Sequence, residues 1–250
     1  MSGSGVSMSF EDKLDKVRQQ HATNQEQTTV ILGAVEDTLR DQKTSFTPTA
    51  YFAALLSLLS QSSSGNGPIN KDLATSVTYL LDLVTPHTPP AVLRSKFSQI
   101  LTHLAPVLTL PEAETRLLRS SLGCLESLLV AQDAAAWALP QTQISPRRAV
   151  GGLLELAKDP RPKVRKRAQE CLTAVLRNPP PSPSLDHPAA DLCAEASLRR
   201  LDEVVSAADA ASGKSKKQRG KAQEPQQHDP DAIHALQLVK VVAAASNGWP

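Results

Sequence analysis

A helix with one continuous apolar face and a basic start is predicted between positions 159 and 176. Its apolar residues recur at i, i+4, i+7, i+8, i+11 and i+12, which is the spacing of one face of an α-helix. Five basic residues fall within the seven positions from 161 to 167. An apolar face of this length is stable only when it packs against other helices. The residues of the face are Val164, Ala168, Cys171, Leu172, Val175 and Leu176.

The composition extends the helical prediction to the whole chain. Apolar residues make up 40% of the sequence but aromatic residues only 3%, so the core is built from Leu, Val and Ala. This composition favours packed helices over a β-sandwich, which draws on aromatic and β-branched residues. The 19 prolines fit an α-helical protein if they lie between helices or in first turns. We therefore expect an all-α protein.

The predicted helices form pairs at a regular spacing. The first helices of four pairs begin near positions 48, 90, 146 and 188, at intervals of 42, 56 and 42 residues. Two-helix units of about 40–47 residues are typical of HEAT and armadillo repeats. The pattern of Asp159, Val164, Arg165, Ala168 and Leu172 resembles the second helix of a HEAT repeat. The prediction is an α-solenoid of HEAT/armadillo-like hairpins, and a compact helical bundle is the competing fold.

Changes in composition divide the chain into four segments. Residues 1–44 are predicted to form an N-terminal helical cap, and residues 45–211 the HEAT-like array. Residues 212–229 are polar and basic, which predicts a disordered linker. Residues 230–250 are expected to start a further repeat of an array that is truncated at Pro250.

Positive charge is concentrated in one predicted repeat. Residues 147–177 hold nine Lys and Arg against three acids, whereas residues 1–130 hold 10 against 12. Lysine and arginine near helix N-termini, where backbone N–H groups are free, suit phosphate oxygens. A solvated face and a docking site for an acidic protein segment are the alternatives. The candidate RNA- or phosphate-binding residues are Arg147, Arg148, Arg161, Lys163, Lys166 and Arg167.

Two further sets of charged residues have specific interpretations. Asp159 and Arg165 occupy positions that in HEAT arrays commonly form a polar ladder between neighbouring repeats, so we assign them a structural role. The predicted linker carries five basic residues and no acid between positions 214 and 221. This run is a candidate nuclear localisation signal, a nucleic-acid-binding tail or a solubilising linker. Its basic residues are Lys214, Lys216, Lys217, Arg219 and Lys221.

No catalytic or metal-binding motif occurs in the sequence. The six histidines and three cysteines have no metal-ligand spacing, and nucleotide-binding, serine-hydrolase and zinc-protease motifs are missing. We therefore predict no enzyme activity, no metal, no cofactor and no small-molecule substrate.

Cys124, Cys171 and Cys193 are expected to be buried in helices. The adjacent Gly151 and Gly152 suggest a point of close helix packing. No apolar run reaches 18 residues, so no membrane partner is expected.

Three segments carry a resemblance to a known family. They are residues 34–42 (AVEDTLRDQ), residues 47–59 (TPTAYFAALLSLL) and the ending, 235–242 (ALQLVKVV) with 247–250 (NGWP). These segments resemble the N-terminal region of the ribosomal RNA-processing protein twelve family. Members are nucleolar HEAT-repeat proteins with karyopherin-like architecture, several times longer than this chain. The resemblance implies a nuclear and nucleolar scaffold in pre-rRNA processing, small-subunit pre-ribosome assembly and nuclear export. Its implied partners are pre-ribosomal RNA, ribosome assembly proteins and the nuclear transport machinery.

A second class of function remains open at this point. A karyopherin-like transport receptor, or a protein–protein adaptor without direct RNA contact, would have the same helical architecture. The two classes differ in whether the basic residues of the 147–177 repeat contact RNA.

Overall fold

The structure is a computed structural model that describes residues 9–19, 26–64, 70–110, 112–181, 186–215 and 230–245. These residues form eleven α-helices and one 3-10 helix and contain no strand, which confirms the predicted all-α class. The chain divides into two compact units, Met1–Gln132 and Asp133–Pro250.

The first unit contains two helical hairpins preceded by two further helices. Its helices are α1 (Phe10–Gln19), α2 (Glu26–Asp41), α3 (Pro48–Ser64), α4 (Lys71–Val84), the 3-10 helix Thr85–His87, α5 (Pro90–Leu108) and α6 (Thr115–Val130). The hairpins are α3–α4 and α5–α6, as predicted. They stack so that α3 lies against α5 and α4 against α6, while α2 covers α3 and α4.

The second unit repeats this arrangement. Its helices are α7 (Ala134–Trp137), α8 (Pro146–Leu156), α9 (Pro162–Leu176), α10 (Ala190–Ser215) and α11 (Pro230–Ala245). The hairpins are α8–α9 and α10–α11, and they pack with α10 against α8 and α11 against α9. In both units, therefore, first helices contact first helices and second helices contact second helices.

Sequence signals at the helix starts explain most of the helix boundaries. The side chain of Asn70 accepts a hydrogen bond of 3.1 Å from the Leu73 N–H, and Ser145 Oγ accepts one of 3.3 Å from the Arg148 N–H. Proline follows at the first helical position of α3, α8 and α9, where its missing N–H costs nothing. These residues end the preceding loop and fix where each of these helices begins.

The structure contradicts one prediction about local packing and locates two helix ends. Helix α6 begins at Thr115, because Leu118 makes the first helical bond to the Glu114 carbonyl, at 3.0 Å. Helix α10 continues to Ser215, so residues 212–215 of the predicted linker are helical, and residues 216–229 lie outside the described part of the chain. Gly151 and Gly152 are not at a close approach, because a Cβ built at either position would meet nothing within 4 Å.

Aromatic and charged side chains attach α1 to the rest of the first unit. The rings of Phe10 and Phe46 lie 5.6 and 5.9 Å from the ring of Tyr51 on α3. Glu36 on α2 accepts hydrogen bonds from the Tyr51 hydroxyl at 3.0 Å and from Arg18 Nη2 at 2.7 Å. Burial of Tyr51 and its bond to the Glu36 carboxylate raise the pKa of the phenol. Residues of the predicted cap thus share one network with the first hairpin.

At Gly123, α6 leaves no room for a side chain beside Asp82 of α4. A Cβ at this position would lie 1.8 Å from Oδ1 of Asp82, so Gly123→Ala must displace the Asp82 side chain. We expect the substitution to lower the free energy of unfolding by about 1–3 kcal/mol, as overpacking does. Urea unfolding followed by circular dichroism measures this change.

Gly33→Ala is the matched control, because a Cβ at Gly33 on α2 meets nothing within 4 Å. Alanine is the better helix former by about 1 kcal/mol, so this variant should be more stable than the parent. Equal effects of the two substitutions would contradict the assignment of Gly123 to a packing contact.

Candidate functional site

The α8–α9 hairpin carries all six candidate phosphate-binding residues, but at two separate places. Helix α8 ends at Leu156 and α9 begins at Pro162, so a five-residue turn reverses the chain. Arg147 and Arg148 lie in the first turn of α8, and the other candidates lie beyond its last turn. The 11 residues of α8 span about 16 Å. The hairpin therefore has basic residues at both ends, and they do not form one patch.

Arg161 is engaged by the turn between the two helices. Its Nε donates to Oδ1 of Asp159 at 2.8 Å and its Nη2 to Oδ2 at 2.7 Å, a bidentate ion pair. The Arg161 N–H also donates to Oδ1, at 2.9 Å. The side-chain bonds from Arg161 hold the pKa of Asp159 below its usual range. Arg161 therefore uses some of its hydrogen-bond donors within the turn.

Arg165 closes the same turn from the other side. Its side chain is buried, and Nη1 donates to the carbonyl oxygens of Asp159 at 2.8 Å and Pro160 at 3.2 Å. These bonds satisfy carbonyl groups that follow the end of α8. Both Asp159 and Arg165 therefore have structural contacts within their own hairpin, and their role in a ladder between repeats stays a prediction.

The remaining basic residues at the start of α9 lie at the surface. Lys163 is exposed and has no ion-pair partner among the residues that the structure describes. The Lys166 side chain is 79% exposed, and its Nζ lies 3.9 Å from Glu170, the outer limit of an ion pair. Arg167 is half-buried beside them. The N-cap residue of α9, Arg161, provides no side-chain hydrogen bond to the helix start. We call Lys163, Lys166 and Arg167 the α9 basic surface.

At the other end of the hairpin, Arg147 is a structural residue. Its Nε donates to the Trp137 carbonyl at 3.1 Å and its Nη2 to the Pro188 carbonyl at 2.9 Å. It therefore joins α7 to the loop that precedes α10. Arg148, the next residue, is exposed. The sequence pattern placed both arginines in one group, and only tertiary contacts separate them.

Trp137 and His187 form a buried pair of rings next to the backbone contacts of Arg147. The rings are 4.5 Å apart and nearly perpendicular. The Ala189 N–H donates to Nδ1 of His187 at 3.0 Å, so the neutral ring carries its proton on Nε2. Burial lowers the pKa of His187 to about 4.

A groove between α9 and α11 contains basic residues that sequence reasoning did not assign to a site. It has a volume of about 330 Å³ and includes Arg177 and Lys240, both exposed. The signal that could have found them is the stacking of second helices, which brings positions near 173 and 240 together. A groove of about 460 Å³ between α2 and α3 has no charged residue in its lining.

The candidate basic tail lies almost entirely outside the described residues. Lys214 belongs to the last turn of α10, whereas Lys216, Lys217, Arg219 and Lys221 are not described. Its role stays a prediction.

The described part of the chain offers no centre for metal chemistry. No group of three or more His, Cys, Asp or Glu among these residues could hold an ion. The prediction that the three cysteines are buried is confirmed, and burial raises the pKa of Cys193 to about 12. None of the described helices has the length and apolar character needed to cross a membrane.

Comparison with known proteins identifies the family. A family profile described as RRP12-like, N-terminal HEAT repeats, matches residues 11–245. The chain belongs to this family. This match confirms the predicted class, an α-solenoid of HEAT-like hairpins, and the resemblance found in the first hairpin and at the chain's end. The compact bundle is set aside.

Relatives from several organisms agree with the profile. Ribosomal RNA-processing protein 12 of Saccharomyces cerevisiae is 39% identical over 97% of this chain. A putative ribosomal RNA-processing protein 12 of Schizosaccharomyces pombe is 38% identical over 71%, and a human RRP12-like protein is 31% identical over 66%. The chain spans 20%, 15% and 12% of these relatives' lengths. No solved structure matches the chain.

The contacts of Arg165 predict a structural phenotype. Arg165→Ala removes the donor to two carbonyl groups and leaves them unpaired in the turn. We expect a loss of about 2 kcal/mol in the free energy of unfolding, the range for hydrogen bonds to charged groups. Arg148→Ala, an exposed change in the same hairpin, should cost less than about 0.5 kcal/mol. Urea unfolding compares them, and similar losses would contradict the structural role of Arg165.

The buried His187 predicts a pH dependence of stability. Because its pKa is lowered to about 4 in the folded protein, the unfolded chain binds a proton first as the pH falls below about 6.5. Stability is therefore lost between about pH 6.5 and 4, by on the order of 3 kcal/mol. His187→Phe keeps a ring against Trp137 but removes the titration, so its stability should fall less over this interval. Urea unfolding measures the free energy of unfolding of the parent and the variant over this pH range. An equal loss of stability in both would refute the lowered pKa of His187.

Proposed function

We propose that this chain is a non-enzymatic HEAT-repeat scaffold in ribosome biogenesis that contacts pre-ribosomal RNA directly. Relatives named as ribosomal RNA-processing proteins, one of them matched over 97% of this chain, support the process. The proposed setting is the nucleus and nucleolus, in pre-rRNA processing, small-subunit pre-ribosome assembly and nuclear export. Ribosome assembly proteins and the nuclear transport machinery are the proposed protein partners.

The α9 basic surface carries the proposal of direct RNA contact. Lys163 and Lys166 are exposed and lie outside the contacts that close the α8–α9 turn, which Asp159, Arg161 and Arg165 make. Their positive charge is therefore accessible to a ligand at the start of α9, with the half-buried Arg167 beside them. Side-chain charge beside the N-terminal end of α9 raises the local positive potential, which attracts phosphate.

The structure changes which candidates are assigned to this contact. Arg147 is committed to the Trp137 and Pro188 carbonyls, and Arg161 to Asp159. Recruiting either residue to phosphate would require breaking bonds that hold a loop. The exposed Lys163 and Lys166 are therefore the main proposed phosphate ligands on α9, with the half-buried Arg167 beside them. The exposed Arg148 is a separate candidate at the other end of the hairpin.

Charge reversal of the α9 basic surface tests the proposal. In the 250-residue chain, Lys163→Glu, Lys166→Glu and Arg167→Glu together should weaken binding of a single-stranded RNA oligonucleotide by about tenfold or more. Losing three phosphate contacts should also reduce the slope of log affinity against log salt by about 2. Fluorescence anisotropy titrations over a range of salt concentrations measure both quantities.

The matched control reverses three exposed cations elsewhere, Lys96, Arg119 and Arg199. It changes the net charge equally, so it separates a local contact from a general charge effect. Equal RNA binding by the parent, the test variant and the control would remove the basis for direct RNA contact at α9. A parent that binds no RNA would favour the alternative, a karyopherin-like receptor or protein adaptor.

A further inference from the structure

The groove between α9 and α11 combines two cations with no acid in its described lining. Arg177 on α9 and Lys240 on α11 are exposed, and neither has an ion-pair partner among the residues that the structure describes. The exposed Glu170 lies beside the groove on α9 but not in its lining, and its carboxylate is 3.9 Å from Lys166 Nζ. A ligand that reaches Arg177 and Lys240 is therefore expected to carry negative charge.

Much of the remaining lining is aliphatic. Val241 and Ala244 lie on α11, and the methylene stems of Arg177 and Lys240 extend this apolar surface. None of the described lining residues is aromatic. A ligand that fills the groove must therefore offer aliphatic groups as well as negative charge.

The polar side chains of the groove match a peptide backbone. Thr173 Oγ1 donates to the Gln169 carbonyl at 2.9 Å, and Gln169 Nε2 donates to the Ala157 carbonyl at 3.3 Å, so the side-chain oxygens of both residues remain as acceptors. The Gln237 amide has no protein partner in the described part of the chain, and it can donate and accept. Each residue of a bound peptide presents an N–H donor and a C=O acceptor that need such partners.

These features favour a peptide over a nucleic acid strand. Proteins hold single-stranded nucleic acids largely by stacking bases on aromatic rings along a basic track, and the described lining offers no ring. An acidic peptide supplies carboxylates for the cations and aliphatic side chains for Val241 and Ala244. Since an α-helix with its side chains is about 10–12 Å across, a groove of about 330 Å³ suits an extended segment better than a helix.

We infer that the α9–α11 groove binds an extended acidic peptide segment of a partner protein, with Asp or Glu next to aliphatic residues. Its carboxylates pair with Arg177 and Lys240, an aliphatic side chain packs on Val241 and Ala244, and Gln237 bonds to its backbone. The inference rests on the proposed scaffold function, because a scaffold holds protein partners, but it does not depend on RNA contact. It gives the scaffold a protein-binding site separate from the α9 basic surface.

Fluorescence anisotropy with the 250-residue chain tests the inference. The probe is a short fluorescein-labelled peptide of repeated Glu-Glu-Leu, and a peptide of repeated Gln-Gln-Leu keeps the leucines without the charge. The groove variant carries Arg177→Glu and Lys240→Glu, and its charge-matched control carries Lys96→Glu and Arg119→Glu. All four side chains are exposed, and circular dichroism confirms that each variant is folded.

A second variant tests the shape of the groove without changing its charge. Ala244→Trp places a ring in the groove, and Ala91→Trp is the matched control on α5. Both alanines are exposed, so neither substitution requires the core to rearrange.

The inference predicts a result for each comparison. The groove variant should bind the Glu-Glu-Leu peptide about tenfold more weakly than its control, because two ion pairs become two like-charge contacts. Ala244→Trp should weaken binding about fivefold or more relative to Ala91→Trp, because the ring occupies the space of the peptide's leucine. The parent should bind the Gln-Gln-Leu peptide about tenfold more weakly than the acidic one.

Three results would overturn the inference. A parent that binds neither peptide, or both equally, would show that the chain has no site for carboxylates. Equal peptide binding by either variant and its control would place the peptide outside the groove. If a single-stranded RNA oligonucleotide displaces the peptide from the parent, and the groove variant loses both ligands, the groove belongs to the RNA contact instead.

Failure of this inference and failure of the proposed RNA contact give different results. The variant with Lys163→Glu, Lys166→Glu and Arg167→Glu should bind the acidic peptide as well as its three-cation control does, while it loses RNA. A parent that binds the peptide but no RNA would remove the RNA contact and leave the groove site in place. A parent that binds RNA but not the peptide would remove only the groove site.

Discussion

The stacking of second helix on second helix is the constraint on which the rest of this structure depends. Helix α9 buries Val164, Ala168 and Leu172, and it can do so only because it lies between its own hairpin partner α8 and the next second helix, α11. A single hairpin leaves too much apolar surface exposed to be stable alone. Burial of this apolar face determines which side of α9 remains exposed to solvent. The positions of the polar residues on that helix follow from it.

Helical periodicity made most of the fold predictable from the sequence. The stripe of α9, the caps at Asn70 and Ser145 and the four hairpins follow from local spacing and capping chemistry, which require no tertiary information. The start of α6 and the surroundings of Gly151 and Gly152 could not be found in this way. Glycine pairs in a helix indicate close packing only if a neighbour approaches, and beyond the backbone of α8 itself no atom lies within 4 Å of a Cβ built at either one.

The candidate site was less predictable, because the roles of arginine depend on the acceptors that the fold brings near. Arg147 and Arg161 have the same charge as Lys163, and nothing in their local sequence separates them. The acceptors of Arg147 are the carbonyls of Trp137 and Pro188, which are 10 and 41 residues away in sequence. Arg161 meets a carboxylate two residues away, which the sequence shows but does not orient. Arginine's fork of donors suits such multiple acceptors, whereas a lysine at the surface remains mobile and hydrated.

The same stacking that buries the stripe creates the α9–α11 groove. Two second helices in contact leave a furrow along their outer faces, lined by the positions next to the buried ones. In this repeat those positions hold Gln169, Thr173 and Arg177 on α9, and Lys240 on α11. In the α2–α3 groove, by contrast, the corresponding lining is mostly alanine, serine and leucine without a charged residue. Grooves are thus a general consequence of packing helices, and what distinguishes this one is its chemistry. Because the buried apolar face holds no charge, the cations of α9 and α11 other than the buried Arg165 lie at exposed or half-buried positions.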